Sequence, residues 1–531
     1  MFAFVSSVLG PAALLLGFLG LAQPSPPVPV RASGIPARFD ADVSRALQLF
    51  HVPGAAVAIV KNGKVLLVKG YGVRTVGQRP PVDPHTLFQI ASNTKAFTTA
   101  CLAMLTDSGV LDWDDRVTRH LAGFELADPW VTREFTVRDL VTHRSGLGLG
   151  AGDLLWLHAD YSRAEIIRRL RAAPVVTSFR SAYAYDNVLY AAAGEIIPAI
   201  TAKSWGEFVQ SRILDPLGMR ETRVRVADLR PQDPLATPHA LLGRDLGIVP
   251  LDTVDNIAPA GAIISNVTDL AKWLLVQLDS GRANGRTLWR PADAREMWSP
   301  QTILPITDPD PLLAPLRPNF AAYGLGWRLR DYRGRKIVWH GGGLAGMTSR
   351  TTLVPDERLG IVILTNGESD LPDALTYELL DGFLGAPRVD WVKAFATVAD
   401  QDRAQADSAV RAAQRSRDST SGPSLTLASY TGRYVDALYG DATITVEKSR
   451  LVLRFTHSPA FTGELEHWQY DTFRTHWRTP NLAEAYVTFH LNPDGTVAEF
   501  VMAPVSPLAD FSYDYQDLRF VPAGRERQKA P

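Results

Sequence analysis

The stretch Phe88-Gln89-Ile90-Ala91-Ser92-Asn93-Thr94-Lys95-Ala96-Phe97-Thr98-Thr99-Ala100 decides how the rest of the chain is read. From Ala96 to Met104 it is apolar and free of Gly and Pro, which predicts a buried helix ending near Ser108-Gly109. Ser92 then stands at or just inside the helix N-terminus, and Lys95, three residues on, lies on the same face. A serine hydroxyl attacks poorly until something takes its proton. A lysine in a dry pocket loses its charge readily and can take it. The open N–H groups of a helix start can face a developing oxyanion. Ser-x-x-Lys alone is a weak signal, because a chain of this length meets the spacing by chance on the order of once. Its weight comes from the residues that join it further along the chain.

The 531 residues suit roughly two to four domains. A net charge of -1 predicts no strong pull toward nucleic acid or anionic membrane. The single cysteine, Cys101, rules out an intramolecular disulfide and reads as a small buried apolar residue. Residues 1–22 are Leu/Gly/Ala-rich, with no charge before Arg31. They read as a cleaved secretory signal or an uncleaved membrane anchor, and both put the mature protein outside the cytoplasm, periplasmic or secreted. Residues 23–37 form a proline-rich spacer.

Asn62-Gly63 between the apolar runs 55–60 and 65–71 predicts a hairpin. Thr136 to Asp139 reads as a capping box, and Ser265 as the cap of a helix over 267–278. Strand periodicity returns at 323–327, 336–340, 348–354 and 360–365. One antiparallel sheet joining the hairpin to these strands, flanked by helices and carrying a helical lobe, accounts for 38–390. That is an α+β fold. Residues 391–424 read as a polar helix and linker. Residues 425–523 form an all-β, barrel-like domain, and 524–531 a frayed tail. Ser145 has no nucleophile frame around it, and Gly146 to Gly152 mark a bending loop rather than a nucleotide site.

Tyr185-Asp186-Asn187 and His340-Gly341-Gly342-Gly343 complete an ordered set with Ser92 and Lys95; Tyr-x-Asn and His-Gly-Gly each occur once. With Thr142-His143-Arg144-Ser145-Gly146-Leu147, these phrases resemble the serine β-lactamase and penicillin-binding-protein-like superfamily. Class C β-lactamases, family VIII esterases and D-amino-acid peptidases look nearest. Residues 424–505, with Tyr430-Thr431-Gly432-Arg433-Tyr434, resemble the lipocalin-like domain appended to some members. The resemblance implies an acyl-enzyme on Ser92. It gives proton transfer to Lys95 and to Tyr185, the tyrosine made acidic by nearby cations, without choosing the base. Asn187 and His340 would bind substrate, with Gly341 and Gly342 leaving room for it at the strand edge. An oxyanion hole would come from the N–H groups of Ser92 and Gly343. Class C enzymes carry Lys-Thr-Gly where this chain has His340-Gly341-Gly342, so attraction for a β-lactam carboxylate should be weak. The expected activity is ester or amide (peptide) hydrolysis of a small-molecule or peptide substrate. The alternatives are a transpeptidase or weak β-lactamase, and a non-catalytic binding protein. HExxH and CxxC spacings are absent, so neither metal nor organic cofactor is called for. Oligomeric state is left open.

Overall fold

A computed structural model describes residues 34–524 apart from Arg244. The signal-or-anchor reading of 1–22, most of the spacer and the tail beyond Gly524 lie outside the described residues. After helix α1 (Phe39–Leu49) the chain forms β1 (Gly54–Lys61) and β2 (Lys64–Gly72). Asn62 and Gly63 both take positive φ, 51° and 76°, as the tight hairpin turn between them requires. Next come helices α2 (Thr94–Asp107), α3 (Val188–Thr201) and α4 (Val267–Leu278). The strands then resume as β3 (Thr302–Ile303), β4 (Ala321–Tyr323), β5 (Arg328–Tyr332), β6 (Arg335–Leu344), β7 (Met347–Val354) and β8 (Leu359–Thr365).

The expected sheet exists. Its eight strands run β2-β1-β8-β7-β6-β5-β4-β3, with antiparallel pairing throughout. Strand alternation sorts the side chains of β1 onto two faces. Ala56, Ala58 and Val60 share a core with Leu270 and Leu274 of α4 and with the helical lobe. Val57 and Ile59 share the opposite core with Phe39 and Val43 of α1 and Leu375 and Leu379 of α5 (Leu371–Leu384). Because both faces are covered, β1 reads as a near-continuous apolar run.

Two local expectations are corrected. Asn266, not Ser265, caps α4: its side chain accepts from Asp269 N at 2.9 Å, while Ser265 pairs with Phe88 in a two-stranded ladder. Helix α6 (Trp391–Ser416) is polar only in its later turns. Trp391 is fully buried, donates from Nε1 to Asp381 Oδ2 at 2.7 Å and packs near Tyr377 and Phe395, so the first turns of α6 belong to the sheet's rear core.

Eight strands, from β9 (Gly432–Asp436) to β15 (Val497–Pro504) and β16 (Arg519–Pro522), close into a barrel, with β9 pairing β16. Phenylalanines fill its interior; the Phe500 and Phe520 rings stack at 4.7 Å and Phe455 and Phe461 at 5.6 Å. The barrel docks on residues 150–170 of the helical lobe. Tyr161 OH donates to Tyr439 O at 3.0 Å and Arg169 to Leu438 O at 2.9 Å. Buried Asp514, in the loop between β15 and β16, accepts from the backbone N–H groups of Gly152 (2.8 Å), Asp153 (3.2 Å) and Leu154 (3.3 Å). It also accepts from the Tyr439 hydroxyl.

Candidate active site

Ser92 sits in a single 3-10 turn, Ala91–Asn93, that leads directly into α2. Strand β7 pins this turn: Ser349 Oγ donates to Ile90 O at 2.8 Å and accepts from Asn93 Nδ2 at 2.8 Å. Strand β6 lies so close that a Cβ on Gly342 would stand 2.3 Å from Ile90 O, so only glycine fits there. Ala91 takes φ 47°, a left-handed conformation costing a non-glycine residue ~1 kcal/mol or more. The residue before the serine is thus held strained by its surroundings.

Lys95, fully buried on the first turn of α2, points its amine at three oxygens. Nζ lies 2.9 Å from Ser92 Oγ, 2.7 Å from Asn187 Oδ1 and 3.1 Å from Ala260 O. It also stands over two aromatic rings, 4.7 Å from the centre of Tyr185 and 5.2 Å from that of Tyr190. Burial pushes the amine well below its ordinary pKa; Asp153 opposes the shift and the Arg328 cation adds to it. Tyr185 goes the other way. Burial raises its phenol well above the usual tyrosine range, and hydrogen bonding to Ser92 only partly opposes this. The expectation of a tyrosine made acidic by cations is therefore reversed, because desolvation of the phenolate outweighs the attraction of Arg328. Burial thus disfavours the charge of both groups, the ammonium of Lys95 and the phenolate of Tyr185.

His143 lies against Tyr185 with ring centres 4.2 Å apart and accepts from Asp186 N at Nδ1, 3.1 Å. Asp186 in turn accepts from Ser145 Oγ at 2.8 Å, so the hydroxyl of Ser145 is spent inside the loop. His340 is buried: Tyr323 OH donates to Nε2 at 2.9 Å and Nδ1 lies 2.6 Å from Gly341 O. Desolvation and the nearby Lys95 and Arg328 hold it neutral. Both nitrogens are engaged within the protein, so the reading of His340 as a substrate-binding side chain gives way to one in which it braces β6.

A cavity of about 570 Å³ opens over this group. Ser92, Tyr185, Asn187, His340, Gly341 and Gly343 border it, while Lys95 and Gly342 stay behind its wall. Asn187 spends one lone pair and one N–H inside the protein: its Oδ1 takes Lys95, and its Nδ2 donates to Asp153 Oδ2 at 2.8 Å. Three further features carried no readable signal in the sequence. The Arg328 guanidinium borders the cavity over the rings of Tyr183, Tyr185 and Trp339. Asp153, fully buried behind Asn187, is raised by burial to about 7 against the pull of its hydrogen bonds and of Lys95. The barrel sends Asp510, Phe511 and Ser512 into the cavity wall, with Phe511 edge-on to Tyr185 at 5.7 Å.

Residues 39–382 match the family model described as Beta-lactamase, which covers well over half of the chain. The chain belongs to the beta-lactamase family. Beyond that domain, residues 416–522 match a domain of unknown function, DUF3471. Among curated proteins, an unguisins hydrolase of Aspergillus campestris (strain IBT 28561) is 30% identical over 436 residues, spanning 77% of this chain and 78% of that protein. Protein flp of Staphylococcus aureus (strain COL) is 26% identical over 348 residues, 64% of this chain and 65% of its own length. Of solved structures, an octameric penicillin-binding protein homologue from Pyrococcus abyssi aligns over 88% of this chain and 97% of that one. Its TM-score is 0.58 and its identity 22%. A D-amino acid amidase from Ochrobactrum anthropi SV3 aligns over 66% and 99%, with TM-score 0.54 and 23% identity. At such identities these two show the shared fold of the beta-lactamase family.

Proposed function

We propose that the protein is a serine hydrolase that opens ester or amide bonds through an acyl-enzyme on Ser92. The observation that carries this reading is the buried amine of Lys95, 2.9 Å from Ser92 Oγ at the floor of an open cavity. As Ser92 Oγ attacks the substrate carbonyl, its proton passes to Lys95 Nζ, whose charge desolvation disfavours at rest. The N–H groups of Ser92 and Gly343 receive the oxyanion, at ~3 kcal/mol per donor for such sites. Tyr185, protonated at rest, gives its proton to the departing alkoxide or amine and is reprotonated from Lys95. Water then repeats the sequence on the acyl-enzyme and releases the acid. Lys95 is the base and Tyr185 the acid in this scheme.

The name of the Aspergillus campestris relative, an unguisins hydrolase, supports hydrolysis as the outcome. An amide substrate with an apolar body suits a wall holding Trp156, Ile257, Leu344 and Phe511, and Arg328 and Asp510 offer charges to its ends. Engagement of both His340 nitrogens argues for slow turnover of β-lactams. We also assign the mature protein to the extracytoplasmic side on residues 1–22, which the N-terminus of the secreted form tests. Labelling with a fluorophosphonate and with fluorescent penicillin, followed by peptide mapping, tests the chemistry. Modification at Ser92 that disappears in Ser92→Ala is expected; label on Ser145, or full turnover by Ser92→Ala, rejects it.

A further inference from the structure

The proposed mechanism leaves one buried chain of polar groups unused, and it begins in the other domain. Ser512, in the loop between the last two barrel strands, donates from Oγ to Asp153 Oδ2 at 2.9 Å. The same oxygen accepts from Asn187 Nδ2 at 2.8 Å, and Asp153 Oδ1 accepts from Trp156 Nε1 at 2.7 Å. Asn187 Oδ1 then meets Lys95 Nζ at 2.7 Å, and Lys95 meets Ser92. We propose that Ser512 is a positioning residue for the reaction: through Asp153 and Asn187, the barrel fixes the amine that activates Ser92. The proposal rests on the serine-hydrolase reading of the site.

The donor count sets the logic. Trp156 Nε1 and Asn187 Nδ2 can only donate to the Asp153 side chain, and the Ser512 hydroxyl donates to it as well, so all three hydrogen bonds favour the ionised carboxylate. Protonation of Oδ2 would face the Asn187 NH2 group. The amide would then be driven to flip and present NH2, not oxygen, to the Lys95 amine. Ser512 opposes this by loading Oδ2 with a second hydrogen bond, and it counters the burial that pushes Asp153 up to about 7. Charged and titratable groups face this chain from several sides. The Lys95 amine faces Asp153, with the Arg328 guanidinium beyond it. Asp186 lies on the side of Tyr185, and Asp514, with Asp517 near it, on the barrel side. Burial raises both Asp186 and Asp514 well above the carboxylate range. His143 and His340, which also face Lys95, are held neutral. Of these carboxylates, Asp153 is the one hydrogen-bonded to Asn187.

The test needs no known substrate. A fluorophosphonate reports the reactivity of Ser92 directly, as the rate of labelling measured from pH 5 to 9. Ser512→Ala should lose roughly 5- to 20-fold in labelling rate near pH 7 and shift the acid limb of the profile to higher pH, while Ser512→Thr, which keeps the hydroxyl, should restore both. Asp153→Asn should be slow throughout, and adding Ser512→Ala to it should cost little more. Superimposable profiles for wild type and Ser512→Ala overturn the proposal and leave the hydrolase reading standing. So does a uniform drop with no shift of the limb, or a Ser512→Thr variant that behaves like Ser512→Ala. If the wild type itself is not labelled at Ser92, the hydrolase reading fails and takes this inference with it.

Discussion

Two polar networks meet at Asn187, and they are built on opposite plans. On one side Ser92 and Lys95 lie three residues apart on one turn of chain, and their contact follows from helical geometry. On the other, Asp153 and Ser512 stand 359 residues apart and touch because a barrel docks on the lobe. The short-range network holds the reacting atoms. The long-range one holds the environment that gives those atoms their protonation states. The comparison breaks most directly at Ser92. Ser92→Ala should lower turnover by ~10³-fold or more, since triad-like units lose nearly all chemistry with one member. Its thermal midpoint should stay within a degree or two of wild type, because a half-buried hydroxyl contributes about 1 kcal/mol at most. Calorimetry beside an ester-hydrolysis assay reads both.

The barrel side should show the reverse balance. Asp514→Ala removes an acceptor shared by three backbone N–H groups and the Tyr439 hydroxyl, although Gly152 N keeps Tyr439 OH at 3.1 Å and Asp153 N keeps Gly150 O at 2.9 Å. Leaving buried donors unpaired should cost ~3 kcal/mol, read as a shifted denaturation midpoint, with activity falling only as far as the joint loosens. A stability loss no larger than that of Ser92→Ala would mean the docking is held elsewhere. Asp153 sharpens the contrast through pH. Its folded pKa of about 7 lies above the value of an unfolded aspartate, so its favourable contribution is full below about pH 4 and is lost as pH rises through 7. Asp153→Asn removes that dependence. Measured against wild type by denaturant unfolding, the variant should gain roughly 1–2 kcal/mol between pH 5 and pH 8. A constant difference over that range would mean that Asp153 does not titrate there.

What could be read from the sequence divides along the same line. The hairpin at Asn62-Gly63, the buried helix after Ser92 and the single sheet all follow from local rules or from strand periodicity. The convergence of Ser92, Lys95, Tyr185 and Asn187 is implied instead by the family resemblance that their short phrases carry. The sequence could not show what those residues do to one another once buried. The direction of the Tyr185 shift depends on how much water the fold excludes, which no motif records. Nothing in the spacing of Asn187 from Tyr185 shows that Asp153 stands behind it. The resemblance makes His340 a substrate ligand, yet Tyr323 closes over it. The segment Asp510-Phe511-Ser512 lies between two barrel strands in a loop with no motif of its own, and only docking turns it toward the cavity. Helix α6 misled in a smaller way. Its average composition is polar, but Trp391 at its start is a core residue, and averaging hid it.

The smallest effect belongs to Phe511, and it asks whether the barrel shapes the substrate as well as the amine. The ring is edge-on to Tyr185, and its backbone carbonyl leaves room only for hydrogen at Gly150, where a Cβ would come within 2.6 Å. The loop is therefore held close, and the ring narrows the cavity from the barrel side. Phe511→Ala removes an aromatic contact of the kind that contributes ~1 kcal/mol beyond simple burial, so KM for a bulky aryl-acyl ester should rise roughly 5-fold. A small acetyl ester, too short to reach that wall, should keep its KM, and kcat should hold for both. Equal changes on the two esters would mean that the ring supports Tyr185 rather than the substrate. That result would leave Asp510 and Ser512 as the barrel residues that act on the site.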